Sequence, residues 1–203
     1  MTTHKTLKSP GEAKKEFKNS TFTGHARPVK NENEAKEFIK QIKERHNDAD
    51  HNVSAYLIKN NNELAMKYAD DGEPAGSSGK PIFKMLELNG IQNAVVVVTR
   101  YFGGTKLGFG GLARAYRETA VAAIENAGII EVHETVNLNI YFGYPQAQKI
   151  KNLILVKDYG NITAEKYSDA VEFTLEIIKE KENEFIGNLS DLTKNKVKIE
   201  YQS

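Results

Sequence analysis

A run of glycines follows a strongly apolar segment in the middle of the chain and could bind an anion. Five of the chain's 15 glycines fall between positions 103 and 111, namely Gly103, Gly104, Gly108, Gly110 and Gly111. Glycine leaves backbone N–H groups uncovered and permits positive φ, and a helix is expected directly after the run, which is typical of an anion site. The cations nearby are Lys106, Arg100, Arg114 and Arg117. The plainer interpretation of the glycines is a tight turn with close backbone packing.

Two established phosphate-binding motifs can be compared with this run. A Walker A loop needs Gly-Lys-Ser or Gly-Lys-Thr where the helix begins, whereas this chain has Gly110-Gly111-Leu112 there. Gly108, Gly110 and Ala113 have the spacing of a dinucleotide fingerprint. That fingerprint opens a series of parallel βαβ units, whereas only one split βαβ module follows here. We therefore expect no bound cofactor.

A polar loop over residues 70–79 precedes the apolar segment and contains three carboxylates. Asp70, Asp71 and Glu73 could hold Mg²⁺ or act as general acid and base. Neighbouring carboxylates beside glycine and proline are also typical of a solvated turn, and the five histidines of the chain show no ligand spacing. We therefore expect no metal site, and we keep an acid–base role of these carboxylates open.

The same loop contains a match to the S-x-x-K pattern of serine nucleophiles, formed by Ser77 and Lys80. That chemistry places the serine and the lysine one helical turn apart, so that the lysine can withdraw the serine proton. Pro81 suits the first position of a helix, which predicts that the helix begins only after Lys80. We therefore interpret Ser77 and Ser78 as turn residues that cap and aim the loop.

The apolar segment ends in Arg100-Tyr101-Phe102, which combines a cation with two aromatic rings. This combination can grip phosphate and stack bases, and it is equally typical of a hot spot in a protein interface. In the first interpretation Arg100, Lys106 and Arg114 bind phosphate. Tyr101 and Phe102 then stack or anchor. The full set of candidate nucleic-acid or anion-binding residues is Ser77, Ser78, Lys80, Arg100, Tyr101, Phe102, Gly103, Gly104, Lys106, Gly108, Gly110, Gly111 and Arg114.

The two loops need a scaffold, and the sequence predicts a buried strand between them. The β-branched run over residues 94–99 is typical of a strand buried on both faces. Helices are predicted on either side of it, over residues 81–90 and 112–126, and Gly128 closes the second. The elements predicted upstream are strands at residues 22–29, 53–58 and 63–68, a turn at Asn60-Asn61-Asn62, and a helix capped by Asn33 with apolar residues at 35, 38, 39 and 42.

The pattern changes after a link near residues 128–135. The segments that follow have the order β-α-β-β-α-β, which is that of a ferredoxin-like split βαβ module. They lie at residues 136–142, 145–156, 161–167, 170–179, 183–192 and 197–201. Residues 1–19 are polar and rich in Lys and Glu, so we expect a short arm there. The sequence therefore predicts an α+β protein with an arm, a first domain over residues 20–130 and a second domain over residues 136–203.

Composition excludes several classes of protein. The chain has 203 residues, of which 39% are hydrophobic and 27% charged, and its formal net charge is +1. A nearly neutral chain does not bind nucleic acid through its global charge, so any such binding must use a local patch. Since the chain lacks cysteine, disulfides, thiolate catalysis and Cys-based metal sites are excluded. No apolar run has the length of a membrane span or a secretory signal, and we expect a cytoplasmic protein that does not bind membranes.

The loops carry the residues through which this sequence resembles the IMPACT/YigZ family. The matching stretches are DDGEPAG at 70–76, GKPI at 79–82, VVVVTRYFGGTKLG at 95–108 and GGLxRAY at 110–116. Their order and spacing both hold, and weaker similarity extends over residues 15–130. The second domain also resembles the one that is appended in bacterial members.

The resemblance implies a first domain with the fold of ribosomal protein five of the small subunit (domain 2), as in the fourth domain of the translocation elongation factor. The second, ferredoxin-like domain is similar to the last domain of that factor. Eukaryotic IMPACT proteins regulate translation under amino-acid starvation by competing for an activator of the initiation-factor kinase. They carry an extra N-terminal interaction domain for which this sequence has no room, so we do not expect the kinase-pathway role here.

The loops and the resemblance together predict a translation-associated regulator, rather than an enzyme, that binds RNA, the ribosome or a translation factor. Two alternatives stay open at this point: a protein-interaction module without RNA binding, and an enzyme that acts on a small phosphorylated or anionic substrate. All three interpretations require the two loops to form one surface, so Asp71 and Gly104 must not lie on opposite faces. The oligomeric state is left open.

Overall fold

The computed structural model describes residues 3–59 and 63–202, and the chain divides into two compact units. The first unit spans residues 4–132, and the second comprises residues 1–3 together with residues 133–203. The predicted turn at Asn60-Asn61-Asn62 lies outside the described residues. Both units combine helices with antiparallel sheets, so the predicted α+β fold class is confirmed.

The first unit is built on a five-stranded sheet. The strands in this part of the chain, five of which form that sheet, are β1 (Thr3–Leu7), β2 (Gly11–Phe17), β3 (Ser20–Pro28), β4 (His51–Lys59), β5 (Leu64–Ala69), β6 (Ala94–Tyr101) and β7 (Ile129–His133). Its helices are α1 (Glu32–Arg45), α2 (Gly79–Leu88) and α3 (Gly108–Ala127). The antiparallel sheet has the order β2-β3-β6-β4-β5, and β1 pairs separately with β7.

Strand β6 is central and buried on both faces, as the valine run predicted. Val96 and Val98 pack with α2 and α3 on one face, whereas Val95 packs with α1 on the other. Each face receives an apolar row because consecutive side chains of a strand alternate between its faces. The end of β6 therefore gives a rigid origin to the segment that starts at residue 102.

The described part of residues 1–19 does not form the predicted arm. Strand β2 pairs along its whole length with β3, from Gly11 opposite Ala26 to Phe17 opposite Ser20. The polar composition was misleading because the most exposed charged residues of β2 occupy alternate positions, while the positions between them pack inward. The predicted link at 128–135 is also wrong, since most of it forms β7.

The cap of helix α1 differs from the prediction by two residues. Asn31 is the cap, and its side-chain oxygen accepts a hydrogen bond from the backbone N–H of Glu34 at 2.9 Å. The predicted cap, Asn33, lies inside the helix. An asparagine followed by a glutamate occurs at both positions, so the local sequence does not distinguish them. The predicted apolar stripe does face the core, where Ala35 and Ile42 are buried.

Helices α2 and α3 both begin earlier than predicted. Helix α2 starts at Gly79, and Pro81 lies in its first turn, where the missing N–H breaks no intrahelical bond. Helix α3 starts at Gly108 rather than at residue 112. Three of the clustered glycines therefore belong to the first turn of a helix, and the loop between β6 and α3 is shorter than the sequence indicated.

The second unit has the predicted ferredoxin-like order. Its elements are β8 (Thr135–Phe142), α4 (Ala147–Lys157), β9 (Gly160–Tyr167), β10 (Val171–Ile178), α5 (Glu182–Thr193) and β11 (Lys198–Tyr201). The sheet is antiparallel with the order β11-β8-β10-β9. Alternate side chains of β8 and β10, such as Leu138, Ile140 and Phe173, pack with Phe185 of α5 to form one core. No helix within residues 3–59 and 63–202 is long and apolar enough to cross a membrane.

Two glycines of the second unit predict opposite effects of the same substitution. Gly160 has a φ of +143°, and a Cβ there would lie 2.0 Å from the carbonyl oxygen of Glu176. Gly187 lies in α5 with nothing within 4 Å of a Cβ. Gly160→Ala should destabilise the protein by more than about 1 kcal/mol, whereas Gly187→Ala should stabilise it by about 0.5–1 kcal/mol. Chemical denaturation of the two variants measures both values.

Candidate functional site

The two polar segments that flank α2 and β6 meet and enclose one cleft. Glu73 and Pro74 line it from the loop of residues 70–78, and Phe102 and Lys106 line it from the segment of residues 102–107. The cleft has a volume of about 410 Å³ and continues along the start of α3. We call it the two-loop cleft. The predicted segments therefore do share one surface.

A buried ion pair forms the floor of the two-loop cleft. Arg100 Nη1 donates to Glu73 Oε1 at 2.6 Å, and the Tyr116 hydroxyl donates to the same oxygen at 2.8 Å. The Arg100 and Glu73 side chains are only 6% and 3% exposed. Burial, and then the Glu73 carboxylate, raises the pKa of Tyr116, so its phenol stays protonated and can donate. The three side chains form one hydrogen-bonded unit that joins the loop to β6 and α3.

The same ion pair changes the expected role of Arg100. Its guanidinium carbon lies 5.5 Å from the ring centre of Phe22 and 5.2 Å from that of Phe102. Its Nε has no hydrogen-bond partner among the described residues. An arginine that is paired with a buried carboxylate and covered by two rings does not present a free positive charge. Arg100 therefore positions Phe102 and the loop, whereas the sequence suggested a phosphate grip.

Asp70 organises the polar loop from within. Its carboxylate accepts backbone N–H groups from Gly76, Ser78 and Gly79 at 2.7, 3.1 and 2.8 Å. It thereby satisfies N–H groups at the start of α2, where the Ser78 side chain makes no capping bond. The predicted serine cap is thus wrong, and a carboxylate eight residues earlier takes its place.

Asp71 ties the loop to β4 and α1. Its carboxylate accepts from the backbone N–H of Asn52 at 2.7 Å and from Lys43 Nζ at 2.5 Å. Its carbonyl oxygen lies 2.9 Å from Nδ1 of His51, which can donate to it. Asp71 and Gly72 both have positive φ, at 49° and 89°. Asp70, Asp71 and Glu73 therefore bind different donors, and in the described part of the chain no three His, Cys, Asp or Glu side chains are grouped to hold a metal ion.

The S-x-x-K residues do not form an exposed nucleophile pair. Ser77 and Ser78 are completely buried, and their hydroxyl oxygens lie 2.9 Å apart. Lys80 is exposed on α2 and does not line the two-loop cleft. The serines therefore lie in the interior of the loop, and Ser78 does not have the capping role that the sequence suggested.

Glycine occurs at the clustered positions for different physical reasons. Gly103 packs against the preceding hairpin, where a Cβ would lie 2.0 Å from the Asn19 carbonyl oxygen, and its N–H donates to Ser20 Oγ at 3.1 Å. Gly104 and Gly108 have positive φ, at 82° and 72°. Gly110 and Gly111 lie in the first turn of α3, which has no side-chain cap. Close packing thus explains Gly103. The uncapped helix start at Gly110 and Gly111 is compatible with a bound anion.

Tyr101 does not belong to the cleft, because strand alternation directs it to the other face of the sheet. Its hydroxyl donates to Asp48 at 3.0 Å and lies 3.0 Å from His46 Nδ1. The His46 ring is 5.2 Å from the ring of His25. Nη2 of Arg45 donates to His25 Nδ1 at 2.9 Å. Tyr101 is therefore part of a polar cluster behind the sheet.

The aromatic ring that sequence reasoning missed is Phe109. It lines the two-loop cleft and is 59% exposed, while Phe102 across the cleft is 45% exposed. Its signal in the sequence was a large apolar residue between two glycines at the start of a helix. Lys106 is the lining cation for which no carboxylate lies within ion-pair distance among the described residues. Arg114 instead pairs with Glu118 on α3 at 2.7 Å and does not line the cleft.

The fold and the cleft define a two-unit α+β protein with an exposed aromatic and cationic cleft in its first unit and a ferredoxin-like second unit. Comparison with known families agrees with this class. The Impact N-terminal domain matches residues 18–124, and a domain of unknown function (DUF1949) matches residues 140–196. The chain belongs to the IMPACT family, which confirms the resemblance found in the sequence.

Relatives match over nearly the whole chain. IMPACT family member YvyE of Bacillus subtilis (strain 168) is 36% identical over 194 residues, covering 96% of this chain and 88% of the relative. An IMPACT family member in the pol 5′ region of Thermus thermophilus is 33% identical over 184 residues, covering 89% and 97%. A crystal structure of a hypothetical protein has a TM-score of 0.64 and 26% identity, and the match covers 100% of this chain and 98% of that one. These similarities extend through both units.

The buried ion pair predicts a large loss of stability when one partner is removed. Glu73→Ala leaves the Arg100 guanidinium buried without a counter-charge, which typically costs about 3–5 kcal/mol. The double variant Glu73→Leu with Arg100→Met should recover much of this loss, because both charges are then absent. Urea denaturation measures the free energy of unfolding of each variant.

An exposed ion pair serves as the matched control for Glu73. Lys40 and Glu44 are 3.9 Å apart on α1, with side chains 68% and 66% exposed. Glu44→Ala should leave stability unchanged within error, because such surface pairs contribute little. A loss for Glu73→Ala as small as that of Glu44→Ala would show that the buried pair does not hold the loop.

The cluster behind Tyr101 predicts a pH dependence of stability. Burial lowers the pKa of His25 to about 4, and the carboxylate of Glu12 offsets this only in part. A histidine in the unfolded chain protonates near pH 6.5, so the unfolded state binds more protons between about pH 6.5 and 4. Stability should therefore fall by up to about 3 kcal/mol as the pH falls through that window. His25→Gln should flatten this part of the curve in denaturation at several pH values, and an unchanged slope would contradict the assignment.

Proposed function

We propose that this protein is a translation-associated regulator that binds single-stranded RNA through the two-loop cleft. The observation that carries the proposal is the pair of exposed rings, Phe102 and Phe109, beside Lys106 and the uncapped start of α3. Rings stack on bases of any sequence, whereas a cation and helix N–H groups bind phosphate. The cleft combines both within about 410 Å³.

The floor of the cleft supports this use because it holds Phe102 in place. Arg100 lies against the Phe102 ring, and Glu73 fixes Arg100. The backbone N–H of Phe102 also donates to Asp50 Oδ2 at 2.7 Å. A ring that is already positioned loses little conformational freedom when a base stacks on it. The ion pair thus contributes preorganisation, and Lys106 contributes the free positive charge.

The link to translation rests on family membership. The resemblance implies that eukaryotic members regulate translation, and it implies a ribosomal-protein type of fold for the first unit. RNA in the ribosome offers unpaired bases and a dense phosphate backbone, which are the groups that the cleft would contact. The formal net charge of +1 requires that binding depend on this local patch and not on the charge of the whole protein.

A protein partner is the second candidate, and the same rings favour it. Exposed aromatic side chains around a paired arginine are typical anchors of protein interfaces, and a translation factor could be the partner that they contact. An enzymatic role has less support, because Asp70, Asp71 and Glu73 are each held by two or more donors. The cleft therefore favours binding over catalysis.

Binding of a fluorescently labelled single-stranded RNA, followed by anisotropy at low salt, tests the proposal. Phe102→Ala and Phe109→Ala should each weaken binding by about tenfold, because each removes one stacking platform. Lys106→Ala should weaken binding to all sequences and reduce the salt slope by about 1. Lys149→Ala on α4 of the second unit, where the side chain is also exposed, should bind like the unaltered protein.

The same variants separate the two candidate partners. If the intact protein shows no RNA binding at low salt, the RNA proposal is wrong. Affinity capture from cell extract with and without nuclease then tests the protein candidate. A partner that is still captured after nuclease treatment, but is not captured by the Phe102→Ala variant, supports a protein interface on the same cleft.

A further inference from the structure

Strand β5 forms an edge of the sheet in the first unit and carries an exposed apolar row. It pairs with β4 on one side, and the sheet order places no strand on its other side within the described residues. Leu64, Met66 and Tyr68 are 64%, 56% and 45% exposed. Their side chains share one face because they alternate along the strand. The edge therefore offers both unpaired backbone groups and apolar surface.

This edge has few of the features by which proteins usually protect an exposed strand. Such protection comes from proline, bulges, charged side chains such as lysine, or a covering helix or loop. All six residues of β5 pair regularly with β4 without a shift in register, and none of them is proline. Lys67 is the charged residue of the strand, and its side chain belongs to the opposite face. The apolar row is therefore open to pairing.

The sequence of β5 is complementary to itself in one antiparallel register. A two-fold axis at Met66 places Met66 opposite Met66 of a second copy and Leu64 opposite its Tyr68. Residues directly opposite each other in an antiparallel pair lie on the same face of the sheet. The apolar rows of the two copies would then form one continuous row, in which each exposed side chain covers another.

The other face of β5 is complementary in charge in the same register. Glu63, Ala65 and Lys67 share that face by alternation. Lys67 comes opposite Ala65 of the second copy and diagonal to its Glu63, a distance that a lysine side chain can span. Glu63 lies directly before the strand and is half-buried, and both of its carboxylate oxygens lie 3.3 Å from the backbone nitrogen of Glu32 at the start of α1. Two equivalent Lys67–Glu63 pairs would therefore flank the axis, and they offset the repulsion between the two Lys67 side chains, which are also diagonal to each other.

Other registers are less favourable. A two-fold axis at Lys67 would place two lysines directly opposite each other. An axis at Ala65 would pair only the three residues 64–66 of β5 with each other, whereas the axis at Met66 pairs the five residues 64–68. An axis between two residues would direct the apolar rows of the two copies to opposite faces. Backbone pairing, apolar contact and charge thus select the axis at Met66.

We propose that β5 is a self-association surface whose partner is β5 of a second copy of this chain. The two copies pair antiparallel about a two-fold axis at Met66, and their sheets join into one. Such an interface is isologous, with the same residues contributed by both copies. It uses no residue of the two-loop cleft, so a test of the dimer does not depend on whether the cleft binds RNA.

A single introduced cysteine tests the register directly, because the chain contains no other cysteine. Met66→Cys places two sulfurs side by side across the axis, at a separation close to that of a disulfide. Under mild oxidation this variant should form a covalent dimer at least about tenfold faster than Leu155→Cys, whose site on α4 is 78% exposed. Non-reducing electrophoresis follows the rate. Equal rates for the two variants overturn the proposal.

Sedimentation of the unaltered protein and of charge variants gives a second test. The protein at about 100 µM should sediment as a dimer that dissociates on dilution, and Met66→Lys should be monomeric at the same concentration. Lys67→Glu should weaken the dimer, and Glu63→Lys with Lys67→Glu should restore it. Circular dichroism checks that these substitutions, including the one at the half-buried Glu63, leave the fold intact. A monomeric unaltered protein, or a Met66→Lys variant that remains dimeric, overturns the proposal.

Discussion

The contact on which the candidate site depends is the buried ion pair between Arg100 and Glu73. Burial of two charges is costly, and close geometry with further hydrogen bonds is needed to offset the loss of hydration. Here Tyr116 adds a bond to the carboxylate, and the rings of Phe22 and Phe102 cover the guanidinium. The pair joins a loop to a strand that lies 27 residues further along the chain. The pair therefore connects one wall of the cleft to the other.

The surroundings of the pair divide the polar residues into those that build the cleft and those that face solvent in it. Asp70 and Asp71 use their carboxylates to hold backbone N–H groups, which removes them from the surface chemistry that their side chains suggest. Phe102 and Phe109 stay exposed, on a frame that the buried pair and the end of β6 keep rigid. Binding groups on a rigid scaffold lose less entropy when a ligand arrives.

Much of the fold was readable because its signals are local. The valine run predicted the central strand β6, because a run of β-branched residues is typical of a strand buried on both faces. The order of strand and helix patterns after residue 135 predicted the ferredoxin-like unit. Strand β2 was missed because its alternating pattern depends on glycine, alanine and phenylalanine. The charged residues between them dominate the composition of the segment and suggested an exposed arm. The early starts of α2 and α3 were missed because Pro81 and the glycines are tolerated in a first helical turn.

The sequence by itself determined the family, the fold class and the two segments that form the cleft, because these depend on residue types and spacing along the chain. Only the tertiary structure decided what each residue of those segments does. Arg100 and Tyr101 are neighbours, yet one enters the cleft floor and the other the cluster behind the sheet, because a strand directs successive side chains to opposite faces. The partners that then define their chemistry, Glu73 for one and Asp48 for the other, come from distant parts of the chain, and no local pattern identifies them.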